Sequence, residues 1–538
     1  MFSTTTPAAR AGRNGPPAEP PLPLSRYLAA ALVPALLAVA LYLPSLANPL
    51  VWDDEIHVPL AREMTVAEAF GNAGGEYRRP LVLLSYLGQW KAGAGSDAAL
   101  HAANVLLHGG NCALLTWLLL SVGLTPAAAA GAALIFAAHP LQSGSVAYVS
   151  GRTDILAATF TLLALLLAER APDHAMRSGR GPLASVRPGQ WGATLGCAVC
   201  VALAALSKEI GLVAGPLVAL LYYYRRRHGR SPSPMLPLAA LLTSAGCALL
   251  VMPPAALTGR VPLWLRLRGV GTAAATYAQL LVWPSGLHLD RLTPTRGDEA
   301  AAAALVLTGL ALTASIRFAR VPTLTSLGLL CAVALYLPGS GWIPVSPAIA
   351  ERLVFTPEQF VYLALAPLCA LLAGALQRYG GNLAAIGGAS LLVLLSVPAV
   401  LARERDFASA EQVYRTTLVH SPSPRACFNL GRLQLDARNY QEAAATYQRC
   451  VDFSPHDGGV RGQLAIAYQK LGRAAEARAN YLRAVELDDR SALLWSNFAT
   501  LDANEGHYDQ AREKWQRALA IDPAFAPARS ALSKLSAR

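Results

Sequence analysis

The chain has 538 residues, of which 54% are hydrophobic and only 14% charged, with a net charge of +12; soluble domains usually carry about 25% charged residues. The deficit is uneven: the last 136 residues, from Arg403 onward, hold 19 Lys/Arg and 16 Asp/Glu, a normal soluble density, and the first 402 are far poorer. This pattern excludes a fully soluble enzyme, a disordered chain and a small disulfide-stapled domain. The basic excess, 40 Arg and 5 Lys, punctuates apolar runs as loop arginines do, instead of clustering on a soluble face, which argues against a nucleic-acid partner.

In chain order, residues 1–26 are rich in Pro, Ala and Thr and read as a disordered cytoplasmic tail. Residues 27–46 form a long apolar run with no convincing cleavage site after it, an uncleaved signal anchor. Further apolar spans are predicted near 100–121, 127–144, 146–168, 191–206, 209–224, 235–253, 301–316, 322–337, 359–376 and 384–401, giving about 11 with the first. A stretch at 271–289, interrupted by Pro284 and Gly286, either spans or lies embedded on one side. Residues 27–402 therefore read as an all-α, polytopic membrane domain.

Arginine placement sets the orientation. With the N-terminus inside, the loops carrying Arg170/Arg177/Arg180/Arg187, Arg225/Arg226/Arg227/Arg230 and Arg317/Arg320 fall inside. Eleven spans leave the C-terminal region outside; a twelfth at 271–289 reverses that. The Arg- and Ala-rich composition points to a bacterial inner membrane, with a periplasmic C-terminal domain. Of eight cysteines, Cys197 and Cys200 form a CxxC inside an apolar run and read as core thiols. Cys427 and Cys450 lie in the soluble part, where a disulfide between them is one reading.

Residues 403–538 repeat with a period of 34. Ala443, Ala477 and Ala511 recur at that spacing, as do Tyr447, Tyr481 and Trp515, and Leu430, Leu464 and Phe498. Pro455 and Pro523 lie two periods apart, and Gly431, Gly472 and Gly506 take small or turn positions. This is the tetratricopeptide (TPR) pattern, in which small residues let two antiparallel helices approach and an aromatic side chain plugs the next pair. A half repeat (Phe407, Ala410, Tyr414, Pro422) precedes three repeats, and residues 524–538 read as a cap helix. A TPR groove is expected to bind a polypeptide acceptor or a partner protein.

Ionisable residues at membrane depth are functional hypotheses. Three carboxylates follow the first span at Trp52-Asp53-Asp54-Glu55; they suit a general base or a ligand for a divalent cation, Mg or Mn, and a solvated acid cluster is the competing reading. Arg78 and Arg79 precede an apolar helix and could clamp a phosphate or snorkel to headgroups. His101, Asn104, His108 and Asn111 share one helix face, most simply as a polar packing seam. His139-Pro140 leads to Gly151-Arg152-Thr153-Asp154. Lys208-Glu209 sits between two spans, and the adjacent pair should reach different partners. Glu351-Arg352 and Glu358 lie in the loop 338–358. By the topology above these groups converge on one extracytoplasmic cavity.

In their order the motifs resemble those of the transmembrane-and-TPR protein O-mannosyltransferases (TMTC-type) and their bacterial relatives, of the GT-C glycosyltransferase fold. The matching segments are WDDE (Trp52–Glu55), RPL (Arg79–Leu81), HAANVLLHGGN (His101–Asn111), HPLQSGSVAYVSGRTDIL (His139–Leu156), SKE (Ser207–Glu209), WPSGLHLD (Trp283–Asp290), AERLVFTP (Ala350–Pro357) and RERD (Arg403–Asp406). The chain departs from the pattern at Gly144, where the family carries an acid four residues beyond the loop proline. The resemblance implies an inverting transferase that moves a sugar, mannose or another hexose, from a polyprenyl-phosphate donor in the membrane lipid to Ser/Thr hydroxyls of a protein. Asp53 is the favoured base, with Asp54 as base or acceptor-orienting group. Arg79, Lys208, Arg352 and Arg152 would hold the donor phosphate. Glu55, Arg78, His101, Asn104, His108, His139, Asp154, Glu209 and Glu351 would support the cavity. Three other functions stay open: a non-enzymatic TPR scaffold for envelope assembly, a transporter or flippase of lipid-linked sugars, and a glycosyltransferase acting on a glycolipid acceptor.

Overall fold

A computed structural model of the protein describes residues 24–71, 78–173, 188–252, 263–294, 298–321, 323–336 and 353–536. The predicted tail, apart from Leu24–Arg26, and the predicted site residues Glu351 and Arg352 lie outside them. The described fold is helical apart from one antiparallel ribbon, in which Leu292–Pro294 pairs with Leu353–Phe355.

Five helical stretches among the described residues are long and apolar enough to cross a membrane: Leu24–Ala47, Asp97–Ser121, Val149–Arg170, Gln190–Ser207 and Leu365–Asp406. Pro126–Ala138, Met235–Val251 and Leu324–Leu335 are shorter apolar helices. Several ends are written locally. Ser96 and Thr125 accept N-capping hydrogen bonds from Ala99 and Ala128, and Pro126 occupies the first turn, where its missing N–H costs nothing. The predicted span 127–144 stops as a helix at Ala138, because His139-Pro140 cannot continue it; short turns over 140–151 carry the chain to the helix Arg152–Arg170. Leu365–Asp406 is two helices. The chain bends at Gly381 (φ 69°), a conformation that favours glycine, and Leu376 returns against Gly388.

One apolar core joins the first helix with Asp97–Ser121, Pro126–Ala138, Arg152–Arg170 and the Leu365 helix, around Tyr42, Phe136 and Tyr362. A second unites Pro188–Ser207, Ala214–Arg227, Met235–Val251, Asp298–Arg320 and Leu324–Tyr336. After a single helix, Ala410–His420, the C-terminal part stacks three antiparallel pairs: Pro424–Asp436 with Tyr440–Phe453, Gly458–Lys470 with Ala474–Leu487, and Ala492–Asn504 with Tyr508–Ile521; Ala526–Ser536 closes the stack. The N-caps Ser423, Asp457 and Ser491 repeat at the same 34-residue spacing, each accepting from the third residue of its helix. Ala443, Ala477, Ala511, Tyr447, Tyr481, Leu430, Leu464, Phe498 and Trp515 are all buried. A side chain at Gly431 would come within 2.5 Å of the Tyr447 ring, so only glycine lets the two helices of the first repeat close. Cys427 and Cys450 form a disulfide across that repeat, and Cys197 and Cys200 are free.

The first repeat does not stand apart from the apolar block. Its core includes Val51, Trp52, Ala147, Tyr148 and Leu289 together with Phe407, Tyr414 and Leu430.

Candidate active site

A cavity of about 490 Å³ lies where the two parts meet. Asp53, His57, Arg78, Arg79, Asp154, Lys208, Asp290 and Arg425 supply its charged and titratable lining, and Trp52, Tyr86, Tyr148 and Phe360 its aromatic walls.

The turn bearing Trp52 is conformationally costly. Trp52 adopts φ 60°, a left-handed conformation in which a bulky side chain is strained. Packing holds it there: its ring lies 5.4 Å from that of Tyr414 and beneath the Arg425 guanidinium at 4.7 Å. The helix Asp54–Glu63 starts directly after this turn, with Asp53 already helical (φ −67°, ψ −18°), so the two aspartates point to different sides. Asp53 faces the cavity, pairs with Arg425, and donates its backbone N–H to Tyr148 Oη at 3.2 Å. Burial alone would raise its carboxyl, but the Arg425 charge and hydrogen bond outweigh burial and hold it below the ordinary carboxylate range. His57, a turn further on, is lowered by burial more than Asp53 raises it.

Asp54 does not reach the cavity. It is fully buried, with Oδ1 accepting from Ser150 N (2.6 Å) and Oγ (2.5 Å) and Oδ2 from the N–H groups of Val51 and Val149 (3.3 Å each). Burial pushes its carboxyl up to about 7 against those donors. Asp54 is thus a staple between the acidic turn and the loop at 148–151, which corrects its expected role as base or acceptor-orienting group. Glu55 turns outward to Arg432 of the first repeat, at 3.1 Å.

The cations expected at the phosphate divide in the same way. The helix Pro188–Ser207 breaks at Lys208, whose backbone is extended (φ −161°). This sends the adjacent Lys208 and Glu209 to different partners. Lys208 Nζ lies 2.7 Å from both Asp154 oxygens and 4.6 Å above the Phe360 ring. Glu209 takes Arg79 in a two-point contact at 3.0 and 3.2 Å. Two oppositely charged pairs therefore frame one wall, with Arg78 beside them. Arg152 belongs elsewhere: it is spent on Asn104 Oδ1, Ser85, Gln89 and the Leu100 carbonyl, over the Tyr86 ring, and lines a separate groove. It was expected at the phosphate, but its four hydrogen bonds hold it as a strut outside the cavity.

The predicted histidine–asparagine stripe is a packing seam. Asn104 donates to the Tyr148 and Val149 carbonyls, His108 meets Tyr362 Oη (2.7 Å) and the Ala137 carbonyl, and Asn111 holds Ile155, Thr159 and Tyr362. His101 is buried on the same face. His139 caps the turn at Leu141 and meets the Leu281 carbonyl. Neither the seam residues nor His139 line the cavity, so they act by positioning its walls. At Gly144 a Cβ would run into the carboxyl of Glu358, whose Cδ would be 2.8 Å away. Glu358 is buried and paired with Arg403 at 2.6 Å, so a carboxylate stands beside this position from a different part of the chain.

The expected divalent cation finds no preformed ligand set here. Asp53 is engaged by Arg425 and Asp54 by four donors. Among the described residues, the His, Cys, Asp and Glu atoms that converge within ligand range are those of Asp502, Glu505 and His507 in the last repeat, where Arg478 and Lys514 already neutralise Asp502.

Arg425, Asp290, His57 and Tyr148 were not singled out from sequence. Asp290 had a signal, as the last residue of the WPSGLHLD segment. Arg425 had none, because it sits in a soluble repeat 372 residues from Asp53.

Residues 434–496 match the tetratricopeptide repeat family model. The mouse protein O-mannosyl-transferase TMTC3 is 23% identical over 83% of this chain and 54% of its own length. The human protein O-mannosyl-transferase TMTC2 is 32% identical over 34% of this chain and 22% of its own. The chain thus spans about half the length of the TMTC3 relatives that it matches. An Archaeoglobus fulgidus oligosaccharyltransferase tethered with an acceptor peptide covers 78% of this chain and 58% of its own at 14% identity, with a TM-score of 0.39. Over most of its length, this chain is similar to proteins named protein O-mannosyl-transferases.

Proposed function

We propose that the protein is a membrane glycosyltransferase that moves mannose or another hexose from a polyprenyl-phosphate donor to Ser/Thr hydroxyls of a polypeptide presented by the repeats. One observation carries this reading: Asp53, a carboxylate held below the ordinary range, lines the same cavity as Arg78, Arg79 and Lys208, and Arg425 of a TPR helix enters it.

In this reading the acceptor hydroxyl enters from the side of the repeats and the donor phosphate from the bilayer. Asp53 takes the hydroxyl proton as the oxygen attacks the anomeric carbon. The bond from that carbon to the phosphate oxygen breaks on the opposite face, so the configuration inverts. The carrier phosphate leaves with its negative charge, and Arg78, Arg79 and Lys208 stabilise it. Glu209 and Asp154 orient two of these cations before the donor arrives, which lowers the cost of assembling the site.

Two features support an extracytoplasmic cavity. The helix Arg152–Arg170 runs from the cavity, at Asp154, to a basic end about 24 Å away at 1.5 Å per residue. There Arg225 and Arg230 meet Asp173, and Arg227 meets the carbonyls of Ala319 and Arg320. Basic ends favour the cytoplasmic side. The Cys427–Cys450 disulfide suits an oxidising compartment for the repeats.

The test is intact-glycopeptide mass spectrometry on a deletion strain rescued with wild type or with Asp53→Asn. Hexose-bearing Ser/Thr peptides should vanish on deletion and return with wild type alone. Unchanged protein glycans throughout would remove protein O-glycosylation and leave a glycolipid acceptor or a scaffold.

A further inference from the structure

The repeats do more than border the cavity. Arg425 lies on the first turn of the helix Pro424–Asp436, and its guanidinium enters the cavity to contact Asp53 while stacking on Trp52. Its neighbours fix that helix to the apolar block. Ser423 donates to Asp290, the Leu292 N–H donates to Ser421 Oγ at 3.0 Å, and Arg432 pairs with Glu55 two turns later. Two arginines of one helix face thus meet two acids of one turn.

The exposure of the pair separates it from a structural strut. Arg425 and Asp53 keep 42% and 34% of their side-chain surface accessible, whereas the Arg403–Glu358 pair nearby keeps 3% and 0%. A half-open ion pair in a cavity contributes little to stability and can be exchanged for other partners. A buried pair cannot be opened without a large penalty.

We propose that Arg425 is a positioning residue by which the repeat module controls the site: its guanidinium covers Asp53 until an incoming acceptor polypeptide displaces it. The proposal rests on the assignment of Asp53 as base. It gives the repeats a direct part in the chemistry, since a polypeptide seated on the repeats would meet Arg425 on the first turn of a repeat helix. The other titratable groups around Asp53 are His57, Arg79, Tyr86, Tyr148, Asp54 and Asp290; all of them belong to the apolar block, whereas Arg425 is carried by the repeats.

The experiment uses the full-length protein in nanodiscs, as wild type, Arg425→Ala, Arg425→Lys, Arg432→Ala and Asp53→Asn. Carbodiimide modification of Asp53 and Glu55 is read by peptide mass spectrometry. Hydrolysis of polyprenyl-phosphate mannose to free mannose is read beside transfer to a Ser/Thr-rich peptide. Arg425→Ala should raise Asp53 modification and hydrolysis severalfold with Glu55 unchanged, and Arg432→Ala should raise Glu55 modification alone. The acid limb of the transfer pH profile should move upward in Arg425→Ala and stay in place in Arg425→Lys. Unchanged Asp53 modification in Arg425→Ala, or a parallel loss of hydrolysis and transfer, overturns the latch. Full transfer by Asp53→Asn sinks the base assignment instead, and the modification data then still decide whether Arg425 covers Asp53.

Discussion

Asp54 accepts two hydrogen bonds from a single residue, Ser150, one from its backbone N–H at 2.6 Å and one from its hydroxyl at 2.5 Å. Its neighbour Asp53 makes its side-chain contact on the cavity side, with Arg425. Removing Asp54 leaves buried donors without an acceptor, at about 1–3 kcal/mol for each unsatisfied group. Asp54→Ala should therefore fail as a fold, seen as low yield and early thermal unfolding in detergent. Asp53→Asn should unfold like wild type and lose only transfer.

The same residue predicts a pH effect. The folded carboxyl of Asp54 titrates at about 7, above the ~3.9 of an unfolded aspartate. Between those values the folded state holds a proton that the unfolded chain has lost. The contribution of Asp54 to stability is greatest below the unfolded value and falls as pH rises through about 7. A thermal-shift series from pH 4 to 8 should show a decline in wild type that is smaller in Asp54→Asn. Parallel curves would count against the assignment.

Lys208 and Asp154 are both buried and hold each other at 2.7 Å. Breaking one side of a buried pair costs about 3–5 kcal/mol, while replacing both with apolar groups is often neutral. Lys208→Met should destabilise the protein, and Lys208→Met with Asp154→Leu should recover the melting temperature without recovering transfer. Recovery of both would make the pair purely structural.

Arg403 depends on Glu358, at 2.6 Å, and Asp406, at 3.1 Å. Glu358→Ala should destabilise the chain by a similar ~3–5 kcal/mol, as for any buried charge deprived of its main partner. Gly144→Asp alone should also destabilise, because its side chain meets the Glu358 carboxyl. Together the two changes should recover part of the lost melting temperature, since the new carboxylate takes the vacated space. No recovery in the double variant would show that the two positions are not exchangeable.

The Cys427–Cys450 bond closes a loop with a sequence separation of 23. A loop of that length is worth about 3 kcal/mol in the unfolded-state entropy model. Reduction, or Cys450→Ser, should lower the unfolding temperature of the repeats by several degrees. Alkylation mapping without reductant should find both thiols blocked; free thiols would place the repeats in a reducing compartment.

The sequence by itself determined the repeats: the 34-residue recurrence of Ala443, Tyr447 and their equivalents identified them, because helix packing in a solenoid is local and periodic. It also brought Asp53, Arg79, Asp154 and Lys208 forward, since charge beside apolar spans is conspicuous. Only the tertiary structure decided which of these groups share a cavity. Asp53 and Asp54 are neighbours in sequence, and the helix start on which they sit turns one to the cavity and the other to the buried loop at 148–151. Arg152 and Lys208 look equivalent as cations, yet one lines a separate groove and the other lines the site. Arg425 was invisible among the 19 basic residues from Arg403 onward, because its meaning comes from docking a repeat helix onto an acidic turn far away in the chain. Such long-range pairing leaves no period or spacing to read.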